Sequence, residues 1–280
     1  MRVLLLGGTG FLGRSTATEL ARAGHDVVVA SRSPAADVVL DVEDLRALSD
    51  HLSGARYDDV VNLVGAGLES GTADHATMRR INSELPVRLH DVLTTLDAPP
   101  RLVHAASSTE RLAGQALDES DYSRSKHDGS VALRSAARAS GATVTILAVH
   151  NSYGPDQPSR RFVAAMAAGL RSDTPVTLNY PHRIRDFVFV DDVAASIRHA
   201  VEQPSGGLAE AEVGTGTGLS LLETAREIAD ALGHSRDLIR INADPPVDPN
   251  PVTVCSVRFG SYGLCTTEFR DGIRRALEAS

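Results

Sequence analysis

The sequence predicts an α/β fold: a Rossmann-type, doubly wound parallel sheet with a smaller α/β C-terminal lobe. Three observations predict it. Apolar runs and helical patterns alternate over the first half of the chain. A glycine-rich turn joins the first run to the first helix. After about residue 150 a series of prolines breaks the rhythm into shorter pieces.

The predicted strands span 3–6, 27–30, 38–40, 60–64, 102–105 and 144–149. Each is nearly continuous in Val, Leu or Ile, as expected for parallel strands covered on both faces. Helical patterns lie between them at 11–23, 43–52, 73–96 and 122–140, with Gly24 and Gly141 as stop signals for the first and last. Beyond Pro155, Pro158, Pro175 and Pro181 the expected helices are 160–171, 192–202, 220–232 and 267–279. The run Pro245-Pro246, Pro249 and Pro251 breaks the chain again. The predicted division is 1–155 as dinucleotide-binding domain, returning for about 185–215, and 156–280 as substrate lobe.

Composition narrows the function. The chain has 280 residues, 28 Lys and Arg against 36 Asp and Glu, and a formal net charge of −8. An acidic chain lacks the positive patch that phosphate neutralisation needs, so nucleic acid is not an expected partner. No apolar run is long enough to span a bilayer, and the run after Met1-Arg2 is too short for a signal peptide. A cytoplasmic protein is expected. Cys255 and Cys265 provide neither a disulfide framework nor a four-ligand zinc site, the histidines show no metal-ligand spacing, and no metal is expected. Of the cations, 27 are Arg and one is Lys, at Lys126.

Gly7-Gly8-Thr9-Gly10-Phe11-Leu12-Gly13 follows the first strand and opens the first helix. Glycines at 7, 10 and 13 permit a tight turn, approach of a pyrophosphate and close helix–sheet packing, and the helix N-terminus favours an anion. At the end of the second strand, where an acid would hold the ribose 2′-hydroxyl of NAD, the chain reads Ala30-Ser31-Arg32. Ser31 and Arg32 suit a 2′-phosphate, which favours NADP over NAD. Asp41 and Val42 follow the third strand. They are placed to touch the adenine, with Asp41 as a helix N-cap the alternative.

Lys126 lies four residues after Tyr122, on the same face of a helix. A phenol has a pKa of about 10, and lowering it by about three units takes about 4 kcal/mol. One cation at about 4 Å supplies roughly that at an effective dielectric of about 20.

Together these segments resemble the extended short-chain dehydrogenases/reductases, the NAD-dependent epimerase/dehydratase family of nucleotide-sugar enzymes. The resemblance extends through Asn82, Ser107-Ser108-Thr109, His150-Asn151-Ser152-Tyr153-Gly154-Pro155, Arg185-Asp186-Phe187-Val188-Phe189-Val190-Asp191-Asp192-Val193 and Val213-Gly214-Thr215-Gly216. It implies Tyr122 as general acid/base and Lys126 as the group that holds the nicotinamide ribose and depresses the tyrosine pKa. It implies Ser108 or Thr109 as hydrogen-bond donor to the reacting oxygen, Asn151 and Arg185 as contacts to a nucleotide sugar, and a structural or cofactor-supporting Asn82. It also implies a homodimer paired through the helices at 73–96 and 122–140.

Two departures stand out. Leu112-Ala113-Gly114 replaces the family's Tyr-Gly, and the stretch from there to Tyr122 is short. Glu110 is followed by Arg111 where the family's dehydratases carry two acids, which disfavours dehydration. The favoured function is an NADPH-dependent 4-ketoreductase of a nucleoside-diphosphate 4-keto-deoxysugar. The alternatives are a nucleotide-sugar epimerase with retained NAD and a non-catalytic NADP-binding sensor.

Overall fold

The structure is a computed structural model and describes residues 1–68, 71–112, 120–244, 252–255 and 265–278. In chain order its elements are β1 (Arg2–Leu6), α1 (Phe11–Arg22), β2 (Asp26–Ser31), β3 (Val38–Val39), α2 (Leu45–Gly54), β4 (Asp59–Asn62), α3 (His75–Met78), a π-helical turn (Arg79–Glu84), α4 (Leu85–Thr94), β5 (Arg101–Ser107), a 3₁₀ turn (Ser108–Leu112), α5 (Asp121–Ser140) and β6 (Val144–Val149). There follow β7 (Asn151–Tyr153), α6 (Phe162–Arg171), β8 (Val176–Leu178), β9 (Ile184–Phe189), α7 (Val190–Glu202), β10 (Leu208–Val213), β11 (Gly218–Ser220), α8 (Leu221–Leu232), β12 (Ile239–Ile241), β13 (Val252–Thr253) and α9 (Phe269–Glu278).

Seven strands form one parallel sheet in the order β10-β6-β5-β4-β1-β2-β3. The order reverses between β1 and β4, the switch point at which doubly wound sheets bind ligands. Alternation within β1 explains its two cores. Leu4 and Leu6 pack with Leu48 and Leu52 of α2, Leu89 of α4 and Leu133 of α5. Val3 and Leu5 pack with Leu20 of α1 and Val193 and Ile197 of α7. A third core gathers Tyr153, Phe187, Phe189 and Phe269 with α6, α8 and α9. Here β7, β11 and β13 pair around β9, while β10 returns to the large sheet. Among the described residues no helix is long and apolar enough to cross a membrane. The proline run at 245–251 lies outside the described residues.

The predicted helix at 73–96 is interrupted. Pro86 has no N–H to return to the carbonyl of Asn82, and the chain widens into a π turn over Arg79–Glu84 before α4 begins. The freed carbonyl lies against Gly129 of α5, where an added Cβ would stand 2.0 Å from Asn82 O. Ser120 caps α5 by accepting from Ser123 N, and Gly141 ends it in the left-handed conformation. This contact sets how closely α5 approaches the sheet. Glycine to alanine inside a helix ordinarily gains about 0.5–1 kcal/mol. For Gly129→Ala the collision with backbone outweighs that, and a net loss of about 1–3 kcal/mol is expected, read as a lowered denaturant midpoint.

Candidate active site

The C-terminal ends of the parallel strands open into a cavity of about 670 Å³, lined by the glycine loop, the end of β5, the start of α5, β7 and residues 157–163. Gly7 adopts φ +78°, and its carbonyl accepts from Gly10 N. A Cβ at Gly13 would stand 2.3 Å from that same carbonyl, so only glycine lets α1 begin here. Gly10 is the N-cap of α1 and offers no side chain to its first amides. Phe11, Leu12 and Gly13 thus bring an uncapped helix N-terminus to the cavity, a cradle that fits a pyrophosphate.

Thr9 Oγ1 donates to Ser31 Oγ at 3.0 Å, joining the glycine loop to the end of β2, and Arg32 next to it is exposed. Arg14 ties the loop to the chain beyond β7, donating to the carbonyls of Thr9 and Asp156. The alternative role for Asp41 is corrected: Asp44 caps α2 by accepting from Ala47 N, while Asp41 Oδ1 accepts from Glu43 N in a tight turn. The side chain of Val42 is 7% exposed and packed in the core, so at that position only backbone is left to meet an adenine.

On α5 the Lys126 ammonium is buried and donates to the carbonyl of Ala105 at 3.2 Å. Its Nζ lies beside Gly65, 3.4 Å from where a Cβ at that position would stand. Asn82 clamps the same loop, accepting from Ala66 N and donating to Ala66 O and Ser125 Oγ. Burial pushes the lysine pKa down, and the nearby Glu110 carboxylate holds it up.

The Tyr122 phenol faces the Ser107 hydroxyl, an interaction that favours its ionised form. Ser107 Oγ also shares a 2.9 Å hydrogen bond with Thr109 Oγ1. Ser108 and Thr109 line the cavity as expected, but the hydroxyl on the phenol is that of Ser107, which the sequence reading passed over. The reason is that β5 runs two residues beyond its predicted end and delivers Ser107 to the start of α5. Burial pushes the Tyr122 pKa up. The Ser107 bond and the Arg161 guanidinium draw it down, and Glu110 adds to the rise. In the free protein burial outweighs the pull of Arg161, so the Tyr122 pKa lies above its ordinary value.

Arg161 stacks over Phe11 at 5.2 Å and donates to the carbonyl and hydroxyl of Ser152. Asn151 Nδ2 and Gln157 Oε1 are buried in the cavity wall without protein partners among the described residues, as groups awaiting a ligand would be. Arg185 does not line the cavity. Its Nη1 donates to the carbonyl of Ile184, and the neighbouring Asp186 is taken up by Thr215, Gly216 and Cys255. Sequence reasoning missed Ser107, Gln157 and Arg161. Gln157 follows Pro155 in an aperiodic stretch, and Arg161, expected inside the helix at 160–171, precedes α6 as its N-cap residue.

His104 is buried and pushed down to about 3, so it is neutral, with Nδ1 3.2 Å from Asn62 Nδ2. His150 Nε2 lies 3.4 Å from Glu212 Oε2, and with Cys255 Sγ these donor atoms fall within 4.8 Å of one another. The departure at Ala113-Gly114 lies outside the described residues.

Residues 3–214 match the model of the NAD dependent epimerase/dehydratase family. The chain belongs to that family. It is similar to a dTDP-6-deoxy-L-talose 4-dehydrogenase (NAD(P)(+)) of Kitasatospora kifunensis, with 28% identity over 82% of this chain and 78% of the relative. It is also similar to a dTDP-glucose 4,6-dehydratase of Mycobacterium tuberculosis, with 23% identity over 99% of this chain and 92% of the relative. Its fold matches that of the Thermus thermophilus UDP-glucose 4-epimerase in complex with NAD, with TM-score 0.83 and 23% identity over 100% and 98% of the two chains. The extended short-chain dehydrogenase/reductase fold, an enzyme of this family, an NAD(P) cofactor and nucleotide-sugar chemistry follow.

Lys126→Arg is expected to weaken dinucleotide binding by about tenfold or more, because a guanidinium is wider than an ammonium and the recess beside Gly65 is fitted to the latter. Equilibrium titration with the cofactor, alongside a melting curve, measures it.

Proposed function

We propose that the protein is an NADP(H)-dependent oxidoreductase acting at C4 of a nucleoside-diphosphate deoxysugar, in the physiological direction a 4-ketoreductase. The observation that carries this reading is the division of the acids and hydroxyls around the cavity. Tyr122, Ser108 and Thr109 line it, with Ser107 on the phenol, whereas Glu110 is absent from its wall. Removal of water from a sugar needs an acid and a base on the substrate besides the tyrosine. Exchange between a carbonyl and an alcohol needs one proton donor.

The glycine loop would hold the pyrophosphate, Lys126 the nicotinamide ribose, and Ser31 with Arg32 a 2′-phosphate. The dinucleotide supplies hydride chemistry when bound. Tyr122 gives its phenolic proton to the carbonyl oxygen, and the hydroxyls of Ser107 and Thr109 relay hydrogen bonds to that oxygen and phenol. A pKa raised by burial keeps Tyr122 protonated at neutral pH in the free protein, the state a general acid requires. Asn151 and Gln157, with their unmatched polar atoms, would receive the sugar. Arg185 reaches a diphosphate only after leaving the Ile184 carbonyl. The similarity to a 4-dehydrogenase, which catalyses the same carbonyl–alcohol exchange, supports the reading. The proposal includes a homodimer paired through α4 and α5, where Val131 is exposed, acting in the cytoplasm.

Two measurements test this. Tyr122→Phe should lower kcat for reduction of a dTDP-4-keto-6-deoxysugar by about 10²–10⁴-fold while the NADPH dissociation constant stays unchanged; full activity would remove the tyrosine from the mechanism. Arg32→Asp should weaken NADPH by about 10–100-fold and spare NADH. Equal effects on both cofactors, or NAD retained through purification, would favour an epimerase.

A further inference from the structure

Glu110 is a half-buried carboxylate for which the proposed reaction has no use. It sits in the 3₁₀ turn between β5 and α5, away from the cavity wall. Its Oε1 accepts from Ser107 N at 3.0 Å. The face of α5 that packs on this turn presents Tyr122, Lys126, Ser130 and Arg134 to it. Arg134 is already bidentate with Glu210 of β10, at 2.8 Å on both arms, which leaves Lys126 as the cation nearest to being its own partner. Arg161, from the start of α6, faces Tyr122 on the cavity side.

We propose that Glu110 is a positioning residue for the proton donor: its carboxylate anchors the backbone of Ser107 beside Tyr122, and its negative charge faces the phenol. The inference rests on Tyr122 as the proton donor of the proposed function. Ser107 is the last residue of β5, where the sheet's hydrogen bonds run out, and the Glu110 carboxylate takes up its amide. That fixes a hydroxyl shared by the phenol and Thr109. Desolvation pushes the Glu110 pKa itself up, and the Ser107 amide, Lys126 and Arg134 draw it down. Once ionised, Glu110 raises the pKa of both Tyr122 and Lys126, opposing Arg161 at the one and burial at the other. The acid at this position thus works from behind the tyrosine instead of on the substrate.

Glu110→Gln separates the two roles, because an amide oxygen still accepts from Ser107 N while the charge is gone. The chain has five tyrosines and no tryptophan, so tyrosinate absorbance is unobscured, and subtracting a Tyr122→Phe titration isolates Tyr122. Glu110→Gln should move that midpoint, and the basic limb of the pH–rate profile, down by about half a pH unit or more. Glu110→Ala also loses the anchor. It should lower kcat further with KM little changed, at a pH chosen on each variant's own plateau. Circular dichroism melts separate this from unfolding. The inference is overturned if the Glu110→Gln titration and pH limb coincide with wild type, or if Glu110→Ala keeps wild-type kcat. Should the wild type turn over no nucleotide sugar, the function reading fails, while the tyrosinate titration, which needs neither substrate nor cofactor, still decides the role of Glu110.

Discussion

The approach of α5 to the carbonyl of Asn82 governs the geometry of the site. Pro86 withholds the hydrogen bond that would have closed the helix around that carbonyl, and Gly129 supplies the missing side chain that lets a second helix come down on it. Because α5 lies this deep, Lys126 reaches the carbonyl of Ala105 under the sheet's end, and Tyr122, one turn earlier, arrives at Ser107. Asn82 itself spends its side chain on Ala66 and Ser125, so one residue joins the π turn, the loop after β4 and α5. The π turn is thus a device for positioning, in keeping with the tendency of such turns to occur at functional sites.

Burial at that depth has an electrostatic consequence. It drives the phenol toward its neutral, protonated form and the ammonium toward its neutral, deprotonated form. A nearby carboxylate moderates the second effect and reinforces the first. In the free protein the tyrosine is held as an acid, and the Arg161 guanidinium draws its pKa down without overcoming burial. A tyrosine beside a lysine, taken alone, suggests a ready-made phenolate. In the free protein burial opposes that, because desolvation acts on both partners and the lysine is engaged with a backbone carbonyl.

What could be read from the sequence was local. The glycine loop, the spacing of Tyr122 and Lys126 and the uninterrupted apolar strands each lie within one element, and each carries its geometry in a short-range rule. Ser107 was hidden because its role depends on where β5 stops, and strand ends are fixed by pairing with β6 rather than by the strand's own residues. Gln157 belongs to a stretch with no period, and Arg161, at the N-cap of α6, is placed by contacts to Phe11 and Ser152 beside the Arg14–Asp156 tie. Glu110 was visible as half of an acid pair, but whether it faces the substrate or the protein is decided by the Ser107 amide and by α5. The break in the helix at 73–96 did carry a signal, in Pro86, that periodicity alone overrode.

The lone lysine can now be given a physical reason. A chain that places arginine at 27 other cationic positions has one site where arginine is unsuitable. Position 126 is 5% exposed, its recess is bounded by Gly65 and Asn82, and its partner on that side is a single carbonyl oxygen. A guanidinium has five donors in a fixed plane, keeps its charge at every pH the protein meets, and would leave several donors buried without acceptors. An ammonium is compact, satisfies one carbonyl and one carboxylate field, and keeps its remaining hydrogens for the cavity. Among the described residues, surface arginines lie where solvent or a carboxylate can complete the fork, as Arg134 does on Glu210 and Arg270 on Glu227. The residue choice at 126 therefore follows from depth, and the depth follows from the carbonyl that Pro86 left free.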